Sequence, residues 1–333
     1  MRGLRVAVLG ATGLVGQTIL KVMEDRELPV EQLVLLATDG KGREISFGGR
    51  SIAVESVESM DWRRVDVAFF AASNPASQRW APEAARHGVT VVDKSSFFRM
   101  DPAVPLVVPE VNLESVGDAR IIASPNCSTI QLVVALNPLR QHFGIQRVIV
   151  STYQAVSGTG RDAVDALDRE SRGYLAEEAV EPSVYPVPIA FNVLPYCDRF
   201  LDDDYTGEEW KLTRETQKIF DQPLAVSATA VRVPVFVSHS ESVYVELEDN
   251  VRLPEVRDVL MNAPGIRVVD DPGTGLVPTP RAAADQDLVW VGRIRRDLHH
   301  PRGLHLFVVA DNLRKGAATN AVQIVEGLAH RWR

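Results

Sequence analysis

The sequence predicts an α/β protein in two domains, the first built on a parallel sheet and the second α+β. Three observations carry this: the length, a strand, glycine turn and helix at the start, and short apolar strands alternating with helical stretches. At 333 residues the chain exceeds what one hydrophobic core usually supports. Its composition, 45% hydrophobic and 24% charged, is that of a globular protein rather than a disordered one.

Val6 to Leu9 form a β-type run, glycines follow at Gly10, Gly13 and Gly16, and Leu14, Val15, Ile19, Leu20, Val22 and Met23 recur at helical spacing. Glycine suits a backbone that must turn tightly and approach a pyrophosphate, whose charge a helix N-terminus favours. The spacing is GxxGxxG, not GxGxxG, and glycine turns without ligands show it too. Further strands are read at "LVLLA", "VDVAFFAAS", "VTVVD" and "RIIAS", with helical stretches such as Pro82 to His87 between several of them. That alternation predicts a parallel, Rossmann-like dinucleotide-binding sheet with ligands at the carboxyl ends of its strands. Thr38 and Asp39 end the second strand, and Asp39 stands 23 residues beyond Gly16, about where an acidic residue meets the ribose hydroxyl of NAD. Lys41 and Arg43 favour a 2′-phosphate instead, so the choice of NADP or NAD stays open.

The remaining chain reads as α+β, with β-rich stretches at "QRVIVSTYQAV", "VSATAVRVPVFV" and "GLHLFVVA". The helical pattern from about Gly316 to His330 is expected to complete the first domain. The predicted division is 1–125 with 312–333 for dinucleotide binding, and 126–311 for catalysis and dimerisation.

Charge and cysteine usage narrow the function. There are 36 basic and 44 acidic residues, a formal net of -8, and no Lys/Arg block forms an electrostatic footprint for nucleic acid. Cys127 and Cys197 are the only cysteines and form no CxxC pair, so no disulfide framework or metal site is indicated, and the cytoplasm is the expected compartment. The opening is not read as a signal peptide, because Lys21, Glu24 and Asp25 follow at helical spacing without a small-residue cleavage site. No apolar run approaches the roughly 18 residues of a membrane span.

Cys127, in "RIIASPNCSTIQLVVALNPL", falls at a strand-to-helix junction. A helix N-terminus depresses a thiol pKa and offers N–H groups to a developing oxyanion. A free cysteine is also commonly a small buried hydrophobe, and from its neighbours alone Cys127 fits either description. Cys197, in "LPYCDRF", lacks that setting and reads as structural.

The ordered set "GATGLVG", "SPNCST", "YQAVSGTG", "EEWK", "RVPVFVSHSESV" and "DNLRKGAATNAVQIVE" resembles the aspartate-semialdehyde dehydrogenases of bacterial type over nearly the whole chain. The resemblance implies NADPH-dependent reductive dephosphorylation of aspartyl 4-phosphate to aspartate 4-semialdehyde, through a thioester on Cys127. The setting is lysine, methionine and threonine biosynthesis. It implies that His239 is the acid/base histidine, with a pKa near neutrality, and that Gln154 orients the substrate. Arg232 would grip the α-carboxylate, Glu208 the amino group, and Arg99 and Lys211 the phosphate. Thr12, Gly13, Leu14, Val15, Ser157, Gly158 and Asn312 match cofactor contacts, and a homodimer is implied. The substrates are small molecules: aspartyl phosphate, aspartate semialdehyde and phosphate.

Without the resemblance, Glu208 and Lys211 read as a solvated i,i+3 pair and "VSGTG" as a plain glycine turn. Arg232 precedes His239 by seven residues, so on one straight strand they would face opposite sides. Pro234 or a bulge must re-aim the chain if both enter one site. The sequence also departs from the family: Lys94 stands in "DKSS" where asparagine is usual, and "ATDGKGRE" replaces the usual cofactor loop. The rivals are N-acetyl-glutamyl-phosphate reductase, glyceraldehyde-phosphate dehydrogenase and a silent homologue. The first two carry different cysteine motifs, and Cys127, Gln154, Arg232 and His239 together argue against the third.

Overall fold

The computed structural model describes residues 3–38 and 42–332; Asp39 and Lys41 lie outside them. The chain divides into two compact units, Met1–Asn126 with Ala317–Arg333, and Cys127–Gly316.

The first unit contains β1 (Leu4–Leu9), α1 (Leu14–Asp25), β2 (Val30–Ala37), β3 (Glu44–Phe47), β4 (Arg50–Ser56), β5 (Val67–Phe70), α2 (Asn74–Arg86), β6 (Thr90–Asp93), α3 (Pro109–Asn112) and β7 (Ile121–Ala123). Among the described residues these strands form one sheet in the order β3-β4-β2-β1-β5-β6-β7. Every pairing is parallel except the β3–β4 hairpin. The central strands are apolar on both faces, as a parallel sheet covered on both sides requires, and all of β5 is buried. The helix expected from Pro82 begins earlier, at Asn74, with Pro75 in its first turn, where proline's missing N–H costs nothing.

In the glycine turn, Gly10 has φ +87°, and a Cβ there would lie 2.2 Å from the Ala71 carbonyl oxygen. A Cβ at Gly16 would lie 2.1 Å from the Gly10 carbonyl oxygen, so this residue sets how closely α1 approaches β1. The helix from the far end of the chain also belongs to this unit. Ala321, Val322, Ile324 and Val325 share one core with Leu4, Val6, Ile19 and Val22, and Arg26 makes a two-pronged ion pair with Glu326 at 2.9 and 2.7 Å.

The second unit contains α4 (Cys127–Phe143), β8 (Ile145–Gln154), α5 (Arg161–Leu175), α6 (Gly207–Phe220), β9 (Ala225–Arg232), β10 (His239–Leu247), α7 (Leu253–Met261), β11 (Ile266–Val268), α8 (Pro280–Ala283), β12 (Val289–Arg296) and β13 (Gly303–Ala310). Its sheet runs β11-β12-β13-β10-β8-β9 and is mixed: β8 and β9 are parallel, while β10 is antiparallel to both β8 and β13. Val148, Val150 and Thr152 point inward from β8 and are buried, whereas Ile149 and Tyr153 on the other face are 40% and 38% exposed. The helix from the far end of the chain, α9 (Thr319–Gly327), returns to the first unit. Among the described residues no helix is long and apolar enough to cross a membrane.

Gly16→Ala should therefore destabilise the first unit by about 1 to 3 kcal/mol, the range for overpacking a close-fitted site. Urea unfolding should show a lower midpoint with an unchanged slope.

Candidate active site

The parallel pair β8 and β9 ends in register, Gln154 opposite Arg232, while β10 begins beside β8 with Ser240 opposite Tyr153. Gln154, Arg232 and His239 thus come to one edge of the sheet. The chain is re-aimed by a strand break, not by a bulge within one strand. β9 stops at Arg232, Val233 to Ser238 arch across the edge, and Ser238 adopts φ +77° before β10 starts. Pro234 lies in the arch, where its missing N–H is not needed by a ladder. The arch is tied to the segment after β8 by Val156 N–H to the Val235 carbonyl at 2.8 Å and Ser157 N–H to the Phe236 carbonyl at 3.2 Å.

Cys127 is the first residue of the 17-residue α4, so the unpaired amides of that helix's first turn surround its backbone. Its Sγ lies 3.2 Å from His239 Nε2. On the other side of the ring, Nδ1 accepts the Ala155 N–H at 3.0 Å. Arg232 Nη1 donates to the Ala155 carbonyl at 2.7 Å. A Cβ on Gly316 would stand 2.9 Å from the Cys127 Cβ, so glycine there leaves Cys127 its position.

Glu208 and Lys211 are not a merely solvated pair. Glu208 Oε1 accepts from Gln154 Nε2 at 2.9 Å and from Ser128 Oγ at 3.0 Å. Its Oε2 lies 3.3 Å from Lys211 Nζ, which also holds Asp198 Oδ2 at 2.7 Å. Ser157 and Asn312 are hydrogen-bonded to each other, Asn312 Nδ2 donating to Ser157 Oγ at 3.0 Å, and Asn312 Oδ1 accepts the Ser238 N–H at 2.9 Å. Gly158 follows in the same short 3-10 turn.

The remaining candidates belong to the first unit. Gly10, Thr12, Gly13, Leu14, Val15 and Gly16 form the turn into α1. That helix has neither a side-chain cap nor an acidic residue in its first turn, which leaves its amides suited to an anion. Thr38 is exposed just past β2. Arg99 is buried and donates through Nη2 to the Lys94 carbonyl at 2.8 Å. Lys94, expected to add a cation, directs its ammonium to Ser124 Oγ and the Pro125 carbonyl, both at 3.1 Å. It therefore clamps the segment leading toward α4.

Burial corrects one expectation. His239 is wholly buried, and desolvation, aided by the Arg232 charge and opposed by Glu208, takes its pKa down to about 3 rather than near neutrality. The same effect pushes the Cys197 thiol up to about 12, which suits the structural reading. Among the described residues no cluster of His, Cys, Asp or Glu could hold a metal.

Two family models match the chain: "Semialdehyde dehydrogenase, NAD binding domain" over residues 5–119 and "Semialdehyde dehydrogenase, dimerisation domain" over residues 136–315. The aspartate-semialdehyde dehydrogenase of Aquifex aeolicus is 50% identical over 331 residues, 97% of each chain. The chain belongs to the aspartate-semialdehyde dehydrogenases. In structure it is similar to the Vibrio cholerae aspartate semialdehyde dehydrogenase II complexed with ASA, with a TM-score of 0.97 and 45% identity over 100% of both chains. The Candida albicans family member with NADP is more distant, with a TM-score of 0.75 and 25% identity over 97% of this chain and 98% of that one.

Against this family background, Ser128, Ala155, Asp198 and Glu241 were missed by sequence reasoning. Ser128 had a visible signal, a hydroxyl beside Cys127 in the first turn of a helix. Ala155 acts through its backbone and had none. Glu241 is wholly buried two residues beyond His239 on β10, and Gln131 of α4 faces it without closing a hydrogen bond of ordinary length on either oxygen.

Burial, with a further push from Glu208, raises the Glu241 pKa well above its usual 4.5. The folded chain then binds this proton more tightly than the unfolded chain, so stability falls as pH rises above about 4.5. Glu241→Gln, which mimics the protonated group, should match the wild type near pH 4 and become the more stable protein by pH 8. Urea midpoints at the two pH values check this.

Proposed function

We propose that the protein reduces L-aspartyl 4-phosphate to L-aspartate 4-semialdehyde with NADPH, through a thioester on Cys127, as a step of amino-acid biosynthesis. The observation that carries this reading is the 3.2 Å contact of Cys127 Sγ with His239 Nε2, at a helix N-terminus and beside the Gln154, Glu208 and Arg232 side chains. Sulfur attacks and leaves well, so one difficult displacement becomes two easier ones. The thiolate attacks the acyl carbon, the C–O bond to phosphate breaks, and phosphate leaves with the electron pair. Hydride addition to the thioester carbon gives an alkoxide, which re-forms the carbonyl and expels the thiolate.

Roles follow from charge and geometry. Arg232 offers a planar fork to the α-carboxylate, Glu208 an anion to the amino group, and Gln154 holds the Glu208 carboxylate in place while facing the substrate. Arg99 and Lys211 are the phosphate cations. The open amides of the α1 turn, with Thr12 to Val15, would hold the pyrophosphate of NADP, and Ser157, Gly158 and Asn312 would border the nicotinamide. The bound nicotinamide supplies the hydride. NAD remains the alternative cofactor.

The homodimer is proposed to form through the outer face of the second unit's sheet. There Tyr153 meets Phe307 at 6.3 Å and Tyr244 meets His305 at 5.2 Å between ring centres. The matched dimerisation model covers these strands, and aromatic residues are enriched at such interfaces. A cytoplasmic location is part of the proposal, since the chemistry needs Cys127 reduced.

Given aspartate semialdehyde and phosphate, the purified protein should reduce NADP or NAD, and Cys127→Ala should abolish turnover while cofactor binding persists. Wild-type activity in that variant, followed at the nicotinamide absorbance, would refute the nucleophile assignment. Replacing Arg99 or Lys211 with a neutral residue should raise the KM for phosphate more than that for semialdehyde. An unchanged phosphate KM in both variants would count against those two assignments.

A further inference from the structure

Arg99 is buried, yet it lies on a segment without helix or strand that follows Asp93, the last residue of β6. No ladder or helical turn aims its guanidinium, so other ties must. Asp93 is wholly buried, and its carboxyl accepts three hydrogen bonds. Oδ1 takes the hydroxyl of Ser77 on α2 at 2.7 Å and the Ser95 N–H at 3.1 Å, and Oδ2 takes the Ser95 hydroxyl at 2.6 Å. The Ser95 oxygen accepts the Phe97 N–H in turn at 3.2 Å. A buried polar group is costly unless it is hydrogen-bonded, and each of these donors comes from the first unit.

The Ser95 N–H shares one peptide plane with the Lys94 carbonyl. In a planar trans peptide the two groups point in opposite directions. By holding the N–H, the Asp93 carboxyl therefore turns the carbonyl the other way, and that carbonyl accepts Arg99 Nη2 at 2.8 Å. The preceding peptide is pinned as well, because the Lys94 N–H donates to the Phe70 carbonyl of β5 at 2.8 Å. A guanidinium is planar and rigid, so anchoring one of its nitrogens on a fixed carbonyl limits the directions in which the others can face.

We infer that Asp93 and Ser95 are positioning residues for phosphate, which act through the Lys94–Ser95 peptide to hold the Arg99 guanidinium in the orientation that meets the anion. This deepens, and rests on, the proposed reading of Arg99 as a phosphate cation. Neither residue makes or breaks a bond in the reaction. A cation fixed before the anion arrives loses little side-chain freedom on binding, whereas a released arginine has to be ordered each time. Loosening the hold on Arg99 therefore weakens phosphate binding, and leaves semialdehyde and cofactor to their own contacts.

The test measures the KM for phosphate and the KM for aspartate semialdehyde at saturating NADP, with urea midpoints reporting folding separately. Asp93→Ala should raise the phosphate KM about three- to tenfold, the effect of losing one hydrogen bond, while the semialdehyde KM and the cofactor dissociation constant stay near wild type. Asp93→Asn, which keeps one oxygen for the Ser95 N–H, should recover most of the loss. Ser95→Ala removes only the hydroxyl arm and should shift the phosphate KM in the same direction. A folded Asp93→Ala protein with the wild-type phosphate KM overturns the inference, and so does an equal rise in both KM values, the mark of general damage. If Asp93→Ala does not fold, Ser95→Ala decides by the same criteria. Because the effect passes through Arg99, adding either change to Arg99→Ala should leave the phosphate KM where Arg99→Ala alone puts it; a further rise overturns the inference. An unchanged phosphate KM in Arg99→Ala refutes the proposed role of Arg99 itself. A raised one there, with none in the Asp93 and Ser95 variants, refutes only this inference.

Discussion

The parallel pairing of β8 with β9, ending with Gln154 opposite Arg232, is the constraint on which the site in the second unit depends. A parallel partner cannot be reached by a tight hairpin, so α5 and α6 intervene, and α6 brings Glu208 to the strand ends. An antiparallel neighbour on the other side of β8 is reached directly, by the arch that closes with His239. One register therefore gathers Gln154, Glu208, Arg232 and His239, none of which adjoins another in the chain.

Polar groups at that edge are costly to bury, and the way each is satisfied dictates its chemistry. The Glu208 carboxyl is buried and takes hydrogen bonds from an amide and a hydroxyl, with the Lys211 ammonium beside it. His239 is buried without an acidic partner at either ring nitrogen and stays neutral. Glu241, deeper on the same strand, is wholly buried with only Gln131 facing its carboxyl, and burial raises its pKa well above the usual 4.5. Three titratable groups at one site thus meet three different environments.

Much of this was legible in the sequence, and the failures share a cause. "GLHLFVVA" became β13 over Gly303–Ala310, and the first sheet's central strands lie where continuous apolar runs were read. Those runs are local and strong signals. "VSATAVRVPVFV" was read as one β-rich stretch but leaves the sheet at Arg232, because proline and the arch outweigh β-propensity once the neighbouring strand ends. The β3–β4 hairpin around Gly48 and Gly49 was passed over although its glycine pair is a hairpin signal. Cys127, Gln154, Arg232 and His239 were found through motif resemblance, since no periodicity links them. The depressed His239 pKa and the contact with Ala155 were beyond reach, because burial and main-chain partners exist only after the chain has folded.

The first unit is assembled from both ends of the chain, and this bears on the order of events during synthesis. Leu4, Val6, Ile19 and Val22 share their core with Ala321, Val322, Ile324 and Val325, which are translated some 300 residues later. Residues 127 to 316 can close upon themselves before α9 leaves the ribosome, whereas the N-terminal sheet must wait with part of its apolar face uncovered. Domains generally fold N-terminal first as they are made, but the core of this first unit is complete only once α9 has been added.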